Sequence, residues 1–174
     1  DKTAAQLRDA NRARLAAMGV PAAVTSAFLG NKFYTPVDQT IIVTALGQMN
    51  GVANRGLFVD RASQVPNRDL TFFIRRRAEL TAAFHQRLEP VSAFVMYSGL
   101  PLNRTRSGKI VAVIGLDRLV WTEQVRDVVA VVDRGIRRGK SGSVVEIRIT
   151  GTATDRAKEG FRERGWRLFE LMSL

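Results

Sequence analysis

Thr150-Gly151-Thr152-Ala153-Thr154 is the segment whose residue types and spacing most suggest ligand chemistry. It follows a valine- and isoleucine-rich run and precedes a helical pattern. Free N–H groups at a helix start attract anions, and threonine hydroxyls add donors. Arg156 and Lys158 would supply positive charge nearby. Thr150, Gly151, Thr152, Thr154 and Arg156 are therefore candidate anion-binding residues. The plainer reading is structural. Thr152 or Thr154 makes an ordinary helix cap, and Asp155 already puts a carboxylate in the favourable first turn.

Basic clusters form the second candidate site. They are Arg75-Arg76-Arg77, Arg104-Thr105-Arg106 with Lys109, Arg134 with Arg137, Arg138 and Lys140, and Arg162 with Arg164 and Arg167. The stretches around 103–109 and 134–140 flank strands of one expected sheet, and at a common edge they would make a positive rim. Arg104, Arg106, Lys109, Arg137, Arg138 and Lys140 are the candidate polyanion-binding residues. Proteins that read nucleic acid usually add exposed aromatics for stacking. Here Phe72, Phe73, Phe161 and Trp166 are expected in the core, which leaves Tyr34, Tyr97 and Trp121 for the surface.

Other chemistries lack their parts. The chain has no cysteine and a single histidine, His85, so a zinc site would have to be built almost wholly from carboxylates. No catalytic residue, metal ligand set or cofactor is expected. Gly139-Lys140-Ser141 looks like the tail of a P-loop, but Arg134 stands where the first glycine is needed, and a strand follows instead of a helix. A nucleophile elbow at the same place lacks its final glycine. Glu123/Asp127 and Glu159/Glu163 are carboxylate pairs at i, i+4 with arginine neighbours, which fits a salt-bridged helix surface better than an acid–base pair. His85 flanks the apolar stripe of a long helix, where one structural hydrogen bond is the expected role.

The elements that must position these groups are legible from caps and periodicity. Thr3, Pro21, Thr35-Pro36 and Asn67 mark helix starts, while Gly19, Gly30 and Pro90 mark stops. Helices are expected at about 3–18, 21–30, 35–49, 55–64 and 68–88. The last carries the stripe Leu70, Phe73, Ile74, Arg77, Thr81, Phe84 and Leu88. After Pro90 the pattern changes. Strands are expected at 91–98 and 109–116, joined antiparallel by a long basic loop at 99–108. A helix follows at 121–135, a strand at 144–149, a helix at 154–164 and a last strand at 166–171. The fold class is α+β: four to five N-terminal helices on a small mixed sheet of order β-β-α-β-α-β, ending in a parallel βαβ unit. Residues 1–90 and 91–174 form a helical and an α/β region that share one core.

The stretch from Val144 to Leu171, with Ile149-Thr150-Gly151-Thr152 and Gly165-Trp166, resembles the strand, Thr-Gly turn, helix and strand of BRCT-type phosphopeptide-binding modules. The resemblance covers about 28 of 174 residues, and no function is carried over from it.

The net charge is +11, divided as +5 over residues 1–90 and +6 over 91–174. Such a surface attracts polyanions at low salt, although a nucleic-acid arm would concentrate its charge in one block. The absence of cysteine and an N-terminal Asp1 suit a bacterial protein, with an exported location slightly preferred. The functional expectation is a non-enzymatic binding or assembly module of unknown partner. The alternatives are a nucleic-acid or polyanion binder using the arginine-rich loops, and an enzyme holding an anionic substrate at the Thr150–Thr154 turn.

Overall fold

The computed structural model describes residues 2–140 and 142–173; Asp1, Leu174 and Ser141, the serine of the P-loop-like and elbow-like stretch, lie outside the described residues. Five helices come first. They are α1 (Ala4–Ala17), α2 (Ala22–Gly30), α3 (Pro36–Gly47), α4 (Arg55–Ser63) and α5 (Arg68–Arg87). Their starts follow the sequence signals. Thr3 caps α1, Asn67 caps α5, and Thr35 caps α3 with Pro36 at its first position.

The second half runs β1 (Val91–Tyr97), β2 (Leu100–Thr105), β3 (Ile110–Ile114), β4 (Arg118–Leu119), α6 (Glu123–Gly139), β5 (Val145–Ile149), β6 (Thr152–Ala153), α7 (Asp155–Glu163) and β7 (Arg167–Phe169). The main sheet has the order β1-β2-β3-β5-β7. Its first three strands are antiparallel, and β3, β5 and β7 are parallel. The α+β architecture read from the sequence holds.

Several segments differ, and α6, expected to end at 135, continues to Gly139. Residues 99–108 were expected to be a loop joining an antiparallel pair, yet they contain β2, which lies between β1 and β3, so those two strands run parallel and do not pair with each other. Pro101 and Asn103 disguise it. Pro101 falls near the strand's start, where a missing N–H costs little, and Ser98-Gly99 turns the chain with both residues at positive φ, 51° and 77°. The two-residue strands β4 and β6 form a small parallel ladder of their own.

The sheet is the middle of three layers. Val111 and Val113 of β3 join Val91 and Phe94 of β1 in a core with α1–α5. Ile110 and Ala112 face the other way, with Val145, Ile147 and Ile149 of β5, Val129, Val132 and Ile136 of α6, and Ala157 and Phe161 of α7. Both crossover helices therefore lie on one face, as successive right-handed crossovers in one direction require. On α5, Ile74, Arg77, Thr81 and Phe84 are buried, but Leu70 and Phe73 near its start and Leu88 just past its end are exposed.

A buried carboxylate clasps α3 to α5. Asp38 accepts from the Thr35 backbone N–H (3.0 Å) and hydroxyl (2.7 Å), and pairs with Arg68 and with Arg75 (2.9 Å). Burial alone would raise its pKa. These hydrogen bonds and the arginine charge outweigh burial and lower it to about 2. Among the described residues, no helix is long and apolar enough to cross a membrane.

Candidate nucleic-acid interface

The register of the sheet brings several basic segments to one end. Because β1, β3, β5 and β7 run in the same direction, their first residues lie together. The Ile110 N–H donates to the Val144 carbonyl (2.9 Å), the Arg106 N–H donates to that of Pro90 (2.9 Å), and Glu146 pairs with Arg167. The helices α5, α6 and α7 end at this same level. Their C-terminal dipoles favour arginine and lysine there, which gives a local reason for the composition.

Arg137 ties these parts together. Its guanidinium bonds to Asp133 (3.2 Å) and donates to the carbonyls of Ser143 (2.6 Å) and Arg164 (3.2 Å). The Trp166 indole N–H also donates to Asp133 (2.8 Å). Lys109 is held internally as well, between Glu89 (2.6 Å) and the buried Glu146 (2.9 Å). The hydrogen bonds it donates to both carboxylates raise its pKa. Glu146 also receives Arg148 (3.1 Å), whose guanidinium lies over the Phe169 ring at 3.9 Å.

Of the six basic residues expected in the rim, Lys109 and Arg137 thus serve the framework. Arg104, Arg106, Arg138 and Lys140 are exposed, and among the described residues none has a carboxylate within 4.0 Å. Two more exposed cations without a described ion pair lie at this end: Arg87, at the end of α5, and Arg167, at the start of β7. Arg87 gave no sequence signal beyond its charge, because only the fold brings α5 to this edge.

Every described carboxylate near the rim has a cationic partner. Glu89 bonds Lys109 and Ser107, Asp133 bonds Arg137, Glu146 bonds Lys109 and Arg148, and Glu163 bonds Arg156 (3.4 Å). The surplus at this end is positive and solvent-facing. His85 sits just beneath, where its Nδ1 accepts from the Val91 N–H (3.0 Å), and burial and the Arg106 charge lower its pKa.

The Thr150–Thr154 turn lies at the opposite end of β5, against the segment that follows β3. The Thr150 hydroxyl accepts from the Leu116 N–H (3.0 Å) and donates to the Leu116 carbonyl (3.0 Å). The Thr152 N–H donates to Asp117 (3.0 Å) and the Thr154 N–H to Leu119 (3.0 Å). The Ala153 N–H donates to the Glu170 carboxylate (2.7 Å), and the Thr154 hydroxyl caps α7 by accepting from Ala157 (3.2 Å). Gly151 packs so closely on the Asp117 carbonyl that no Cβ fits. Arg156 pairs with Glu163. These donors are spent within the chain, with a carboxylate of the chain itself at the place an anion would take.

The two carboxylate pairs carry ion pairs with arginines, Glu159 to Arg162 (2.6 Å) and Asp127 to Arg126 (3.0 Å) among them. Among the described residues, no group of three or more histidine or carboxylate side chains is placed to hold a metal. Phe161 and Trp166 are buried as expected, but three other aromatics depart from expectation. Tyr34, expected at the surface, is buried and donates to the Ala62 carbonyl (2.9 Å), because the α2–α3 turn folds it inward. Phe72 and Phe73, expected in the core, are exposed, and the Arg68 guanidinium lies over the Phe72 ring at 4.5 Å. No protein-family model, curated protein or solved structure matches this chain.

Proposed function

We propose that this chain is a non-enzymatic binding module whose ligand is the phosphate backbone of a nucleic acid. One observation carries the reading: six exposed cations from separate segments share one end of the sheet, while the carboxylates of that end are already paired inside the chain. Phosphate contacts of this kind give affinity and orientation without reading sequence. Exposed aromatics are absent from the rim among its described residues, which favours backbone contact over base stacking.

The test is fluorescence anisotropy with labelled mixed-sequence duplex DNA and single-stranded RNA at about 50 mM salt, where such contacts are strong. Replacing Arg106, Arg138 and Lys140 together by glutamine is expected to weaken binding at least about tenfold. Replacing Arg8, Lys32 and Arg118, which are exposed away from the rim, removes the same charge and is expected to have a much smaller effect. No binding under these conditions, or equal losses for the two sets, overturns the reading.

A further inference from the structure

The outer face of α6 meets the rim only in its last turn, at Arg138, and up to Arg134 it carries a pattern that complements itself. Val129, Val132 and Ile136 point into the core, but Val128 and Val131 are 43% and 39% exposed. Asp127, Val131 and Arg134 are spaced i, i+4 and i+7, so they share one stripe. That stripe is acidic towards its N-terminus, where Asp127 also bonds Arg126 of its own chain (3.0 Å), apolar in the middle and basic towards its C-terminus. Beside it, a groove of ≈ 360 Å³ opens between α6 and the tip of the β1–β2 hairpin, with Leu100, Val128, Val131 and Val132 in its walls.

We infer that this face is where a second copy of the chain docks, as an antiparallel α6–α6 pair about a two-fold axis through Val131. The charge pattern selects the occupant. At about 1.5 Å rise per residue, Asp127 lies about 6 Å before Val131 and Arg134 about 4.5 Å after it. Reversing one helix about Val131 therefore brings Asp127 of each copy within about 1.5 Å, along the axis, of Arg134 of the other. A parallel pairing would set Asp127 on Asp127 and Arg134 on Arg134. An isologous contact also needs a self-complementary surface, and Val131 on the axis, with the apolar Leu100–Val132 groove beside it, supplies the same apolar centre to both copies. The net charge of +11 opposes pairing. One helix face and a hairpin tip make an interface of about 1,000 Å², at the low end for specific association, so the dimer belongs to concentrated protein.

The test is sedimentation velocity without nucleic acid, from about 1 to about 500 µM, the range that brackets a weak dimer. The inference does not depend on the rim, and this readout is separate from nucleic-acid binding. The wild type is expected to move from monomer to dimer mass with concentration. Asp127→Arg alone and Arg134→Asp alone set like charges together twice, and each is expected to weaken association about tenfold or more. The double variant Asp127→Arg/Arg134→Asp restores the pairing with its sign reversed and is expected to recover it. Val131→Glu places two carboxylates on the axis and is expected to leave only monomer. All three positions are exposed, and unchanged far-ultraviolet circular dichroism and melting temperature would show the fold intact. A wild type that stays monomeric throughout, single charge variants that dimerise as well as the wild type, or a double variant that fails to recover would overturn the inference.

Discussion

Asp38→Asn removes one charge from the clasp between α3 and α5 while keeping an acceptor for the Thr35 N–H. Asp38 is almost fully buried, and its pKa is lowered from 3.8 to about 2. At about 1.4 kcal/mol per pH unit, that gap corresponds to about 2 kcal/mol of stability at neutral pH. The cost stays well below that of breaking a fully buried pair, because Arg68 and Arg75 are 42% and 32% exposed and can turn to water. The folded pKa is the lower one, so the contribution is complete above the unfolded value and disappears as pH falls towards 2. By pH 3 it is expected to have fallen to about half.

Urea unfolding followed by tryptophan fluorescence measures this. Trp121 and Trp166 sit in the layer opposite Asp38, so their signal reports the whole fold. With a slope of about 2 kcal/mol/M, Asp38→Asn should lower the urea midpoint by about 1 M at pH 7. The difference from wild type should shrink by about half at pH 3. Other carboxylates titrate in both proteins and cancel in that difference. A difference below about 0.5 kcal/mol at pH 7, or one that does not shrink at pH 3, would refute the account of the clasp.

Further outcomes follow from the packing. Gly151→Ala forces a methyl group against the Asp117 carbonyl and is expected to cost about 1–3 kcal/mol in thermal unfolding; an unchanged melting temperature would show that the two segments are not in contact. Glu146→Ala leaves Arg148 without its carboxylate and is expected to cost about 3 kcal/mol, read as a lowered urea midpoint. Burial and the Arg106 charge lower the pKa of His85, so the unfolded chain takes up a proton first as pH falls through the ordinary value of 6.5. Wild type should therefore lose stability relative to His85→Gln between pH 7 and 5, and parallel pH profiles would contradict this.

Local signals made most of the fold legible. Thr35-Pro36, Asn67 and the Pro90 stop bound their helices closely, because capping and proline sterics act within a few residues. The β2 strand was hidden because Pro101, Asn103 and Arg104 carry loop composition, while the feature that fixes the hairpin is the Ser98-Gly99 turn. The two-residue strands β4 and β6 are too short for any period to reveal.

The rim was legible in residue type but not in assignment. Sequence puts Lys109 and Arg137 among the free cations. Their partners Glu89, Glu146 and Arg164 are 20, 37 and 27 residues away, and only the sheet register brings them close. The same register adds Arg87 and Arg167. The Thr150–Thr154 turn has the composition of an anion site and the geometry of a closed one, and its closure comes from Leu116, Asp117 and Glu170, outside the motif.

The salt dependence of nucleic-acid binding tests the proposed role of the rim most directly. If all six free cations contact duplex phosphates, log K should fall with log salt at a slope of about −5, and removing Arg106, Arg138 and Lys140 should reduce this to about −3. A wild-type slope shallower than about −1, or a slope that the three substitutions leave unchanged, would show that the rim does not hold phosphate.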